Sequence, residues 1–67
     1  MEDRIFGKIV YTNGVADTYV LKIFPSKLRI VVLVNSQIIK EVHCPNEKEF
    51  FEIVNKLKKE YNIYKEY

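Results

Sequence analysis

Apolar and polar residues alternate through the first two thirds of the chain and recur every three to four residues in the last third, so strands followed by one helix are predicted. Arg4 to Tyr11 places Ile5, Gly7, Ile9 and Tyr11 on one side and Phe6, Lys8 and Val10 on the other. Asn13-Gly14 then marks a hairpin turn. The next run sets Val15, Asp17, Tyr19, Leu21 and Ile23 against Ala16, Thr18, Val20, Lys22 and Phe24. A two-residue loop puts Ile9 opposite Thr18 and Ile5 opposite Lys22. A three-residue loop, Thr12-Asn13-Gly14, puts Ile5 opposite Leu21 and Gly7 opposite Tyr19, with Gly14 at the left-handed position of a bulge. Keeping apolar residues together favours the three-residue loop.

Pro25-Ser26-Lys27 interrupts the pattern, because proline fixes its own φ and supplies no ladder donor. Leu28 to Val34 follows, apolar on both faces apart from Arg29, as expected of a central strand covered on both sides. Asn35-Ser36 reads as a turn and Gln37 to His43 as a fourth strand. Its face assignment is weakly marked, since Lys40 and Glu41 fall on opposite sides. Asn46 is placed to cap a helix, with Glu49 at the third helical position of a capping-box pattern and Glu47 near the positive end of the dipole. Phe50, Ile53, Val54, Leu57 and Tyr61 form one stripe, expected to be buried, while Lys48, Glu52, Lys56, Lys59 and Glu60 cover the other sides. The tail, residues 62–67, is open to two readings: Tyr64 continues the helical spacing, whereas Asn62 suits a left-handed helix end.

The expected architecture is a single α+β domain over residues 1–67, a four-stranded, mainly antiparallel sheet of two hairpins with one C-terminal amphipathic helix packed on one face. One helix shields one face of such a sheet. If it covers Ile5, Ile9, Tyr19, Leu21, Ile30 and Val32, the other face presents Phe6, Lys8, Val10, Val20, Lys22, Phe24, Arg29 and Val31. Aromatic residues flanked by lysine and arginine on a sheet suit stacked single-stranded bases with the cations on phosphates, so Phe6, Lys8, Lys22, Phe24 and Arg29 are the candidate residues for nucleic acid or another partner. Val10, Val20 and Val31 are the candidate dimer contacts, because exposed apolar surface of this extent is usually buried against something. An extended tail of six residues spans about 20 Å, enough to pair one edge but not to cover a sheet.

Composition narrows this picture. A 67-residue chain buries only about 60% of its unfolded surface, and its lone Cys44 makes no internal disulfide, so self-association is the expected route to stability. The 48% apolar and 30% charged residues are those of a globular chain. The longest apolar run, Ile30 to Val34, is far too short to cross a bilayer, and the opening Met1-Glu2-Asp3 is unlike a secretory leader. An intracellular, cytoplasmic location is expected. Ile, Lys, Asn, Tyr and Phe supply 31 of the 67 residues, the types AT-rich codons favour, as in many thermophilic archaea, their viruses and ordinary bacteria. The net charge of +2 lies wholly in residues 1 to 44, since residues 45 to 67 carry five lysines and five glutamates. Any electropositive surface therefore belongs to the strands, and +2 is modest for a phosphate binder.

His43-Cys44 is the only adjacent pair of reactive side chains, and neighbours on a strand point to opposite faces, against a nucleophile and its base. Two such ligands do not make a structural zinc site within one chain. No glycine-rich phosphate loop, metalloprotease helix or nucleophile elbow occurs, and the helix glutamates are interleaved with lysines, with pairs such as Glu52 and Lys56 one turn apart. No catalytic residue, metal or cofactor is therefore expected. The order of elements is similar to that of the single-stranded-DNA-binding transcription coactivators, which pair as dimers through sheet and helix, in element order alone. The expectation is a non-enzymatic, dimeric binding module that contacts single-stranded or distorted nucleic acid. Its alternative is a protein-interaction module, such as a small subunit, adaptor or inhibitor from a virus or other mobile element, that binds no nucleic acid.

Overall fold

Two tight turns set the register of the sheet. The computed structural model describes residues 3–66, so the ends of the predicted domain and of its tail, Met1, Glu2 and Tyr67, lie outside the described residues. Strand β1 (Arg4–Thr12) meets β2 (Val15–Phe24) through Asn13 and Gly14 alone, with φ of 52° and 80°. Positive φ at both central residues is the hairpin turn whose twist matches that of its strands, and Asn-Gly is the pair that adopts it at least cost. Strands β3 (Arg29–Val34) and β4 (Gln37–His43) are joined likewise through Asn35 and Ser36, with φ of 51° and 67°. Asn35 also fastens this turn to β2. Its side-chain oxygen accepts from the Thr18 amide at 2.9 Å, its own amide donates to the Thr18 carbonyl at 2.9 Å, and its side-chain nitrogen donates to Asp17 at 2.9 Å.

The first turn overturns the predicted register. Thr12 pairs with Val15, Phe6 with Leu21 and Ile5 with Lys22, which is the two-residue loop. Pairing like with like failed as a criterion because β1 is apolar on both sides, so a slip of one residue costs few apolar contacts while the turn geometry favours one loop length. Every side chain of β1 consequently lies on the face opposite to the one expected. Phe6, Lys8 and Val10 share the helix side with Tyr19, Leu21 and Ile23, while Ile5 and Ile9 face away from it.

The connection from β2 to β3 is one 3-10 turn, Pro25–Lys27, which exits through Leu28 at φ 52°. Leu28 was expected within the strand, but proline fixes the entry and a left-handed residue is needed to reverse the chain. Its carbonyl then accepts from the Cys44 amide at 2.9 Å, tying the end of β4 to this turn. The strands lie in sequence order, all antiparallel. A bulge interrupts the last pair. Leu33 faces Ile38 and Val32 faces Lys40, which leaves Ile39 as the extra residue.

Helix α1 (Glu47–Tyr61) starts where predicted, with the Asn46 side chain accepting from the Glu49 amide at 2.9 Å. It ends at Asn62, φ 55°, with the Asn62 amide donating to the Lys59 carbonyl and the Ile63 amide to the Lys58 carbonyl at 2.9 Å, a paired C-terminal cap. That decides the tail. Ile63 is fully buried, Tyr64 is exposed, and the chain turns back along β1, where the Gly7 amide donates to the Lys65 carbonyl at 3.0 Å and Glu66 lies opposite Phe6. Phe50, Val54 and Leu57 pack on Phe6, Leu21, Ile23, Ile30 and Val32, with Tyr61 and Ile53 partly buried at the margin. Each fully buried side chain of this size contributes about 1.5 to 3 kcal/mol relative to its exposed state. Tyr61 stays at the edge because its ring packs beside Tyr19, centroids 6.4 Å apart, not under the helix.

Candidate interaction surface

Antiparallel register carries the second face of the sheet across all four strands in rows. Phe24, Arg29 and His43 form one row, Ile5, Lys22, Val31 and Glu41 the next, and Gly7, Val20, Leu33 and Ile38 the third. Ile9 and Thr18 continue along the longer first hairpin. The third row carries no polar side chain on the four strands, and its Gly7 end is buried. Ile9 is 50% exposed and Ile38 59%, while Val31, between Lys22 and Glu41, is 4% exposed.

The polar chemistry of this face is concentrated at one end and is largely self-satisfied. Arg29 donates through Nε to Glu41 at 2.9 Å and through its terminal nitrogen to the same carboxylate oxygen, and its guanidinium lies 5.7 Å from the Phe24 ring centroid. These hydrogen bonds hold the Glu41 carboxyl below its ordinary value, with smaller help from the charge of Arg29 and from His43. His43 Nε2 is 3.7 Å from the other Glu41 oxygen. Lys22 has no ion-pair partner among the described residues, and neither does the exposed Lys65, which the tail places beside Gly7 at the β1 edge.

The predicted site residues therefore divide. Lys22, Phe24, Arg29, Val20 and Val31 do share the uncovered face. Phe6 does not: it is 5% exposed in the core, with the Lys58 ammonium 3.8 Å from its ring centroid. Lys8 lies on the helix side with its ammonium 5.5 Å from the Tyr19 ring, and Val10, paired with Asp17, lies on that side too. All three exchanges follow from the one-residue change of register. The residues that take their places, Ile5, Ile9, Leu33 and Ile38, were missed, although the Asn13-Gly14 pair taken as a two-residue loop predicts the first two.

His43 and Cys44 diverge. The histidine is exposed on the uncovered face, and the cysteine is buried among the core residues, where desolvation first and the Glu49 charge second push its thiol above the ordinary value. Among the described residues no three His, Cys, Asp or Glu side chains converge as a metal would require, and no helix is long and apolar enough to cross a membrane. The geometry defines an α+β meander with one face under a helix and the other apolar and uncovered. No protein-family model, curated protein or solved structure matches the chain.

Proposed function

We propose that this protein is a protein-interaction module that pairs with a second copy of itself through the uncovered face of its sheet. The observation that carries the reading is the apolar row of Gly7, Val20, Leu33 and Ile38, continued by Ile5 and Ile9 and bounded by charge at one end only. With strands about 4.8 Å apart and about 3.3 Å per residue, the face projects on the order of 500 Å². A two-fold pairing needs one self-complementary patch, and a flat apolar sheet face supplies it. The electrostatics argue against phosphate as the main target, because Arg29 is already engaged by Glu41, which leaves Lys22 as the unpaired cation of the four strands on this face among the described residues. The role we assign is that of a small subunit or adaptor acting inside the cell, where a free cysteine such as Cys44 is ordinary.

Light scattering tests this directly. The wild type is expected at twice its 8.0 kDa chain mass across micromolar concentrations. The Ile9→Lys, Ile38→Lys double variant changes two exposed positions, so it should keep the wild-type circular dichroism and run as a monomer. A wild type that stays at 8.0 kDa overturns the proposal. If that monomer also binds a labelled single-stranded oligonucleotide with an affinity that falls steeply with salt, the face is a nucleic-acid platform instead.

A further inference from the structure

A second surface lies on the helix side, away from the uncovered face. Between α1 and the open end of the first hairpin is a groove of about 340 Å³, at the small end of the range for ligand sites. Phe6, Ile23 and Val54, all nearly buried, line its floor. Phe51 stands at its side, 44% exposed and braced edge-on against Phe50 at 5.2 Å. Phe51 lies outside the stripe that docks the helix, so packing of the sheet does not account for an aromatic side chain there. Two cations border this apolar floor. The Lys58 ammonium is poised 3.8 Å over the Phe6 ring and has no carboxylate partner among the described residues, whereas Arg4 is held at 2.9 Å by Glu66. On the opposite flank of the helix the corresponding groove, beside Val42 and Leu57, has its Lys40 ammonium 3.8 Å from Glu60.

We propose that the Phe6–Lys58 groove binds a small amphipathic carboxylate, its ring or chain lying against the exposed Phe51 along the floor beside Phe6 and Val54 and its carboxylate meeting Lys58. Charge complementarity selects the class. A neutral apolar ligand leaves the ammonium idle, and a polyanion meets no second unpaired cation among the described residues lining the groove, since Arg4 is already paired. An apolar body with one negative charge satisfies both halves of the groove. Either a free acid or the C-terminal residue of a peptide carries that chemistry.

Backbone-amide NMR titration of the full chain with phenylbutyrate, and with phenylbutanol as its uncharged counterpart, tests the site. Saturable shifts are expected at Phe51, Asn55 and Lys58, with the alcohol about tenfold weaker, the ratio set by one charge-assisted hydrogen bond. Lys58→Gln should bring the acid down to the affinity of the alcohol and leave the alcohol unchanged, while Phe51→Ala should weaken both. A short peptide ending in phenylalanine should bind as its free acid and not as its amide if chain ends are the source, and phenylbutyrate alone should bind if free acids are. Absence of saturable shifts, or equal binding of acid and alcohol by the wild type, overturns the proposal. The Ile9→Lys, Ile38→Lys variant should titrate like the wild type, so this site and the dimer face fail or succeed separately.

Discussion

The two faces of this sheet are built from nearly the same residue types, yet they do different work. On the helix side Phe6, Leu21, Ile23, Ile30 and Val32 are closed over by Phe50, Val54 and Leu57, and stability comes from area removed from water. On the other side Ile5, Ile9 and Ile38 remain exposed, and none of the described residues covers them. Composition alone does not distinguish a buried face from an exposed one. The difference is made by where one helix lands, and its position is set by two asparagine caps and a tail that docks Ile63 and pairs along β1.

The comparison breaks most sharply under truncation. Leu57→Ala should cost about 2 to 5 kcal/mol in urea unfolding, the range for emptying a packed site, whereas Ile38→Ala should stay within about 0.5 kcal/mol in the monomeric background. Similar losses at both positions would mean that the faces are not distinct. A smaller effect tests what keeps them apart. Gly14 has φ 80° and nothing within 4 Å of the place a Cβ would occupy, so Gly14→Ala meets no clash and pays only the left-handed strain of about 1 to 2 kcal/mol. A neutral outcome in thermal melts would show that the turn conformation does not hold the register.

The smallest expected effect is on acidification. Glu41 has a carboxyl held below 4.5 by Arg29, so its contribution is complete above the unfolded value and is lost as pH falls through the folded one. The unfolded chain binds more protons in that window, and stability therefore rises with pH across it. Melting temperatures taken from neutral pH down to about 3 should fall slightly more in the wild type than in Arg29→Met, which lacks this linkage. Equal slopes would mean that the pair is solvated and adds nothing, as many surface pairs do.

Much of the fold is legible in the sequence. The helix start at Asn46, the stripe Phe50, Val54, Leu57 and the four strands in two hairpins all rest on local signals, a capping side chain, a 3.6-residue period and turn residues with few alternatives. The candidate site was legible only in part. That a second apolar face must exist follows from counting one helix against a sheet apolar on both sides, and Lys22, Phe24, Arg29, Val20 and Val31 were placed on it correctly. Phe6, Lys8 and Val10 were not, because in β1 both sides carry apolar residues and the period-2 pattern fits either register equally well.

The sequence by itself determined the elements, their order and the ends of the helix, since these depend on residues no more than a turn apart. The face of β1 that meets the helix is also set locally, by the two-residue Asn13-Gly14 turn, whereas only the tertiary structure decided that Arg29 is engaged by Glu41 and that Ile63 enters the core while the tail turns back along β1. Those outcomes depend on contacts between residues 12 or more positions apart, whose energies differ little between competing registers until the whole core is assembled.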